Sequence, residues 1–520
     1  MAIDYTRTLW GGPSAARCIS DLLTAAVERD PEAIAVVDGD REFSYAALMT
    51  WAAEMASDLS AAGSVPADRV GIACPRGAEA VAALLAVTLS GRTYVPLDMA
   101  YPRRRLEHML TDSGAGAVLH SGTGHGLGGD AVSVPVRRPA AGAPVGPIDR
   151  SWVAAHDPDL PVYIIYTSGS TGWPKGVVLP HSCLDNVAAW QAASSVTPDL
   201  RTAQFAPLNF DVSYQEIFGT LCAGGTLVVM PESLRRDSIG LLDWLVDHSI
   251  ERLFLPYVAL QMLAVAAGFG GPVDRLALRE INVAGEPLVR TEEITAFFTA
   301  VPRCRLANHY GQSESAMVSY YVLPSDVTAW PLLPPVGVPL PGCELLMDVD
   351  DPVEGVGELL VAGAPLALGY LNQPELNARR YIDIRPTVHG HTRAFRTGDL
   401  VRFVDGTAQL LTRIDDDVKL RGVRICLAEV EAQLMALPGI AAAVVVVTGG
   451  GAAPKALRAA VRPKNPEALF DEQDVRRRLA DCLPEVSVPI SVTALDDMPR
   501  TPSGKADRDA VAELIAAAAL

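Results

Sequence analysis

The chain has 520 residues, of which 61 are Asp or Glu and 43 are Lys or Arg, giving a formal net charge of −18. That length calls for more than one folding unit, and 49% hydrophobic with 20% charged residues is the composition of a folded protein, which excludes extended disorder. The acidic balance disfavours nucleic acid as the main partner, because binding a phosphate backbone needs a basic surface. Eight scattered cysteines without a C-x-x-C pair exclude a zinc ribbon and fit free thiols in a reducing compartment. The first residues lack the basic start and apolar stretch of a signal peptide, and the most apolar run, residues 439–447, is too short to cross a bilayer and reads as a buried strand. These features predict a cytoplasmic protein with no membrane partner.

Along the chain, short β-branched runs alternate with longer amphipathic stretches. Residues 69–73 predict a strand before a helix over 78–89, and residues 106–112 a helix before a strand over 117–119. This is the pattern of an α/β fold with helices covering a sheet. The Gly/Pro/Ala-rich stretch 121–147 predicts a loop with a weak strand. Within it, GHGLGG at 124–129 fits G-x-G-x-x-G literally, but residues 130–135 read as extended, whereas a dinucleotide fingerprint must open a helix.

The run YIIYTSGSTGWPKG at 163–176 is different. An apolar strand feeds the small or hydroxyl residues Thr167, Ser168, Gly169, Ser170, Thr171 and Gly172, then Lys175, then a second strand over 177–179. Glycines let backbone N–H groups converge on an anion, and hydroxyls add contacts to phosphate oxygens or a metal. It is not a P-loop, which needs Gly-Lys-Ser/Thr opening a helix. Near residues 412–416 the texture changes: three consecutive aspartates after a short apolar strand predict an exposed turn. Beyond it come a strand, a helix over 428–437, a strand over 441–447 and a helix over 473–483. The expected organisation is a large body over 1–412, a hinge over 413–416 and a small α+β domain over 417–520.

Further motifs stand in order: FSYAAL at 43–48, FDVSYQE at 210–216, NHYGQSE at 308–314, GELLVAG at 357–363, RTGDL at 396–400, RIDDDVKLRG at 413–422 and PRTPSGKADR at 499–508. Together with the 163–176 run they resemble the adenylation-domain branch of the adenylate-forming (ANL) superfamily. That resemblance implies a large multi-subdomain α/β body, with two sheet layers and a small β subdomain, and a small mobile C-terminal lid. It also implies ATP and Mg2+, and formation of an acyl-adenylate with loss of pyrophosphate. By the resemblance, the loop from Thr167 to Lys175 holds pyrophosphate, Tyr310 stacks on adenine, Asn308 reads its amino edge, and Gly311 and Ser313 flank the nucleotide. Asp399 accepts the ribose hydroxyls with Arg413 beside it, Glu314 is the magnesium ligand, and Asp415 is the hinge. Lys505 is the expected catalytic lysine, an ammonium that offsets repulsion between the substrate carboxylate and the α-phosphate. After adenylation the lid is expected to rotate, withdraw Lys505 and present residues 419–422 for thioester formation. The sequence departs from the family pattern at Gln312, Ser313, Thr412, Cys426 and Ala428; none removes a catalytic group, and by the resemblance Cys426 and Ala428 would weaken the thiolation conformation.

The resemblance also implies the amino-acid pocket: Asp211, Val212, Gln215, Phe254, Asn282, Ala284, Gly285, His309, Met317, Val318 and Lys505. Asp211 is expected to face the substrate ammonium, and Asp211 or Ser213 reads as the cap of the helix that follows, Ser213 being able to cap while Asp211 points inward. The set is similar to proline-activating pockets, Asn282 excepted, and to stand-alone enzymes that activate β-amino acids for macrolactam polyketide assembly. Gln215 and Gly219 are four apart and share a helix face. Gly219 therefore reads as a gap for an alkyl chain or, equally, as a site of close helix packing. The chain ends 15 residues past Lys505, which reads as a free-standing enzyme serving a separate acyl carrier protein with a phosphopantetheine arm. Arg421 and Arg424 are the first candidates for docking it. The expected activity is AMP-forming ligation of an aliphatic β-amino acid. L-proline is the second reading, a non-catalytic adenylate-binding scaffold a third, and a coenzyme A ligase is disfavoured by Asp211.

Overall fold

The computed structural model describes residues 5–518 apart from 6, 15–16, 123–125, 128, 138–149, 168–173, 352–354, 415–417, 421–422, 426, 451–452, 466–469, 482, 484–486 and 502–504. Two large sheets dominate. In the first, seven strands centre on a parallel core that includes Arg69–Ala73, Thr93–Pro96, Ala117–His120 and Pro161–Thr167. In the second, nine strands centre on a parallel core of Ile34–Asp38, Thr226–Val229, Arg201–Gln204, Arg252–Leu255, Glu280–Val283 and Arg305–Gln312.

Between the two sheets lies the Ala78–Leu89 helix, every residue of which is buried. Its sequence is mostly Ala, Val and Leu on all sides, so it has no face to offer water and needs apolar partners all round. It finds them in one cluster with Val36 and Leu227 of the nine-stranded sheet and Val70, Ile72 and Tyr94 of the seven-stranded one. The third layer is an antiparallel six-stranded sheet in which Cys343–Asp351, Val356–Gly363, Arg393–Val404 and Thr407–Arg413 pair in succession.

The expected elements recur with small shifts. The 121–147 stretch contributes the strand Val132–Pro135, which extends the seven-stranded sheet beside Ala117–His120. No helix follows the GHGLGG run among the described residues, so its glycines are not a dinucleotide fingerprint. The apolar run near 439–447 is the strand Ile440–Gly450, paired with Ala453–Pro463, which in turn pairs with Ser491–Ala494. The helix expected over 473–483 is Glu472–Ala480, opened by Asp471, whose carboxylate accepts the N–H groups of Gln473 and Asp474.

The C-terminal sheet and the helices Leu427–Met435, Glu472–Ala480 and Arg508–Ala518 enclose cores of their own. They rest on the body through Ala432, which is buried with Tyr257 and Leu260, through the Tyr257 hydroxyl against the Met435 sulfur, and through a Lys464–Glu293 ion pair. The cysteines among the described residues are free thiols. No helix among the described residues is long and apolar enough to cross a membrane.

Candidate active site

The parallel strands of the nine-stranded sheet end on one edge, and ligand sites in such sheets form outside the carboxyl ends of the strands. Phe254 and Asn282 are register partners on adjacent strands, and Val283 pairs with Asn308 on the next. His309 and Tyr310 follow directly, and Met317 lies opposite Gly311 on the returning strand. The Val212–Leu221 helix brings in Gln215 and, at its cap, Asp211.

Asp211 itself is the N-cap, its Oδ1 accepting the Val212 N–H at 2.9 Å, while the Ser213 hydroxyl donates to the Phe210 carbonyl at 2.7 Å. Ser213 already lies inside the first turn, where its hydroxyl reaches back to a carbonyl more readily than forward to an N–H. Asp211 is half-buried. Burial holds its carboxyl above the usual range, against the Val212 N–H and the Lys505 ammonium, which both favour the anion.

Asp399 lies on the Arg393–Val404 strand opposite Arg413. Its Oδ2 accepts from the Tyr310 hydroxyl and from Gln312 Nε2 at 2.6 Å, and its Oδ1 pairs with Arg413 Nη1 at 3.1 Å. Burial raises its pKa, while Arg413, Tyr310, Gln312 and Lys505 oppose the rise. Gln312, a departure from the family pattern in the sequence, is thus a direct partner of this carboxylate. Asn308 donates Nδ2 to the Pro335 carbonyl at 2.9 Å, which leaves its amide oxygen as an acceptor.

Thr167 and Lys175 are directly paired residues of an antiparallel hairpin, so the loop between them starts and ends at one point. Glu314 sits 3.6 Å from Lys175 Nζ, and its Oε1 also accepts the Tyr370 hydroxyl at 2.8 Å. Lys175 lies over the Tyr370 ring, 4.3 Å from its centre. Burial lowers the Lys175 pKa, and Glu314 opposes that. Tyr370 is a partner of Lys175 and Glu314 that sequence reasoning misses, since nothing in its local pattern marks it.

Lys505 is exposed on a turn whose closing bond runs from the Thr501 N–H to the Lys505 carbonyl at 2.8 Å. Its ammonium is close enough to Asp211, Asp399 and Glu286 to pull down the pKa of each. Gly311 and Ser313 lie in the hairpin that carries Tyr310 and Glu314; Ala284 and Gly285 follow the strand that carries Asn282. Val212 follows Asp211 in the helix, and Val318 is fully buried beside Trp190 and Leu340. Ser168, Gly169, Ser170, Thr171, Gly172, Asp415 and Arg421 lie outside the described residues, as do the side chains of Lys419 and Arg424.

Gly219 does not leave a gap. A Cβ built there would lie 2.9 Å from Cγ of Gln191, so the space is filled from the neighbouring His181–Ser194 helix. Of the two readings, close helix packing holds and the alkyl tunnel does not. Gln191 Oε1 accepts Gln215 Nε2 at 2.7 Å, while its Nε2 donates to Ser195 Oγ at 2.8 Å and Glu280 Oε1 at 3.2 Å. Glu280 also accepts Asn282 Nδ2 at 2.9 Å and pairs with Arg305 at 2.7 Å. Beneath them Arg252 is fully buried and donates to Thr202, Ser195 and Thr220. Gln215 Nε2 further contacts the Met317 sulfur at 3.2 Å and His309 Nδ1 at 3.4 Å. Burial, with Arg305 and Arg252 nearby, lowers the His309 pKa to about 3, so its ring is neutral. These residues form one connected polar network around Gln215, which periodicity along one chain segment could not reveal.

A strand-loop-lysine hairpin, a carboxylate beside it and a lysine of the small domain at one sheet edge define a nucleotide-activating enzyme class. The family of AMP-binding enzymes matches residues 23–371, and the AMP-binding enzyme C-terminal domain matches residues 429–505. The chain belongs to this adenylate-forming family, with the adenylation domains of the nonribosomal-peptide-synthetase type. It is 34% identical over 504 residues to tyrocidine synthase 2 of Brevibacillus parabrevis, covering 95% of this chain and 14% of that protein. It is 35% identical over 513 residues to phosphinothricin tripeptide synthetase PhsC of Streptomyces viridochromogenes, covering 96% and 45%. The chain thus spans less than half the length of these relatives. Among solved structures it resembles holo-AB3403, a four-domain nonribosomal peptide synthetase bound to AMP and glycine, with TM-score 0.82, 28% identity and coverage of 96% and 37%. It also resembles IdnL7, with TM-score 0.80, 25% identity and coverage of 97% and 100%.

This family works with ATP and Mg2+. The residues present fit both. Thr167 Oγ1 is buried without a hydrogen-bond partner among the described residues, at the mouth of the loop expected to hold phosphate. Tyr370 and Lys175 both engage Oε1 of Glu314, so Oε2 is the hard oxygen a divalent cation would take.

Proposed function

We propose that the chain adenylates an amino acid, joining a substrate carboxylate oxygen to the α-phosphorus of ATP as the bond to pyrophosphate breaks. What carries this reading is the convergence of Asp211 and Asp399 within the field of one ammonium, Lys505. In it, Asp211 binds the substrate ammonium and Asp399, held by Tyr310, Gln312 and Arg413, binds the ribose. Asn308 offers its amide oxygen to the adenine amino group. Lys175 and the 168–172 loop hold the departing pyrophosphate, and Lys505 bridges the two anions that must meet. A magnesium ion on Glu314 would neutralise phosphate charge. Residues 417–520 then swing about the 413–416 hinge, and a carrier thiol attacks the acyl-adenylate, giving a thioester and AMP. The carrier is a separate acyl carrier protein with a phosphopantetheine arm, in polyketide or macrolactam assembly.

For the substrate we put forward a short aliphatic β-amino acid. The polar network around Gln215 stops the pocket at Gln191, which suits 3-aminobutanoate better than a long 3-amino fatty acid. That same closure favours compact L-proline as the second reading. Amino-acid-dependent exchange of labelled pyrophosphate into ATP is expected with 3-aminobutanoate and to fall as the chain lengthens. Exchange with proline alone would select the second reading, and exchange with no amino acid would overturn adenylation.

Gln191 sets the depth. Gln191→Ala is expected to raise the kcat/KM ratio of 3-aminohexanoate to 3-aminobutanoate by about tenfold or more, the order expected for a methylene accommodated in a pocket. Kinetics on the two substrates check it. Gly219→Leu, by contrast, is expected to lower Tm rather than select chain length, because its side chain would collide with Gln191.

A further inference from the structure

We propose that His156, His181 and Asp185 form a site for a divalent metal ion of the zinc class, separate from the nucleotide site and sharing no residue with it. One ligand atom from each of the three lies within 4.8 Å of the other two. His181 opens the His181–Ser194 helix and Asp185 lies one turn on, so both project from one face; His156 arrives from the segment before the Pro161–Thr167 strand.

The surroundings are those of a built site. Asp185 Oδ1 is fixed by the Ile19 N–H at 2.8 Å, which leaves Oδ2 to face His156 Nε2 at 3.1 Å. Such an outer bond orients a ligating carboxylate. The rings of His156 and His181 stand edge to face, 5.6 Å between centres. His181 is buried and makes no side-chain hydrogen bond with the described residues, so its ring retains a free lone pair. A cavity of about 30 Å³ lies against Ser20, His156, His181 and Asp185, which is room for one small ion or water.

Two imidazoles and a carboxylate are the ligand types of zinc, cobalt and nickel, whereas magnesium and calcium take oxygen alone. Tetrahedral ligands at about 2.0–2.2 Å from zinc sit roughly 3.4 Å apart, so a modest contraction closes the group around an ion. Ligating imidazole nitrogens and the carboxylate must be free of protons, so binding releases any they carry to solvent, and water takes the fourth position. The ion would join the first turn of the His181–Ser194 helix to the start of the Ile19–Arg29 helix. The far end of the first of these carries Gln191.

The test is zinc binding by tag-free, chelator-treated full-length protein, titrated against a chromophoric zinc chelator in excess magnesium. One tight equivalent is expected, with His156→Ala weakening it more than about tenfold. Cobalt loading should give the visible bands of a tetrahedral site in the wild type and not in the variant. Zinc held equally by both proteins, or no tight equivalent in the wild type, would overturn the proposal. Asp185→Asn is the second variant. Because Asp185 also holds Ile19, circular dichroism first checks that this protein folds, and His156→Ala decides if it does not.

Discussion

Lys505→Ala is expected to lower amino-acid-dependent pyrophosphate exchange by about two to three orders of magnitude, while circular dichroism and Tm stay at the wild-type values. The magnitude is that of removing one preorganised electrostatic group from a developing charge. The asymmetry between rate and stability follows from where the residue sits. Lys505 is exposed, and the turn that holds it is closed by its backbone carbonyl, so truncation breaks no packing and no cap. What is lost is the cation that acts at once on Asp211 and Asp399. Two negatively charged reactants must meet between these carboxylates, and Lys505 is the cation of the small domain that acts on both. Lys505→Arg keeps the charge on a longer, planar head and should recover only part of the rate. An exchange rate for Lys505→Ala within threefold of wild type would reject the assigned role.

The fold was legible where a physical requirement repeats along the chain. The Ala78–Leu89 helix was legible as a helix after a short strand, but read as amphipathic, whereas the structure buries it on every side between two sheets. The two strands that end at Thr167 and begin at Lys175 were legible because each is a short apolar run flanking the small residues. The polar network around Gln191 was not legible. Gln191, Glu280, Asn282 and Arg305 come from separate elements, and their hydrogen bonds depend on how a helix and two strands pack. Spacing within one segment carries no trace of that. The Gly219 reading failed for this reason: helical periodicity correctly put it on the face of Gln215, yet the neighbouring helix filled the space. Gln312 is the converse case. Its departure from the family pattern was visible, and its meaning, a third partner for Asp399 beside Tyr310 and Arg413, needed the fold.

Asp211→Asn should separate function from stability in opposite directions. The carboxylate is held half-buried, and burial raises its pKa above the ordinary carboxylate range. Its anionic form is therefore disfavoured until a cation arrives, and in the proposed reaction that cation is the substrate ammonium. Removing the charge should cost about 2–5 kcal/mol of binding, or roughly 30-fold to several-thousand-fold in kcat/KM for the amino acid. The KM for ATP should change little. The pH dependence has a definite sign. As pH falls through the raised pKa of Asp211 the carboxylate takes a proton, loses its hold on the ammonium, and kcat/KM for the amino acid drops. Asp399 is also raised, but its protonation affects the ribose and belongs in the ATP profile. The acidic limb should vanish from the amino-acid profile of Asp211→Asn and survive in the ATP profile. Stability runs the other way. A carboxyl whose pKa is raised by folding favours the folded state below its unfolded pKa, and that contribution is lost as pH rises through the folded value. Above that folded value the wild type thus carries an ionised, poorly solvated group, whereas Asn keeps the acceptor for the Val212 N–H without the charge. The expected result is a higher Tm for Asp211→Asn at pH 7 and a smaller difference at pH 4, read by calorimetry without ligands. A lower Tm at pH 7 would mean that the carboxylate is held by the protein itself, and the demand for a cationic substrate would fall with it.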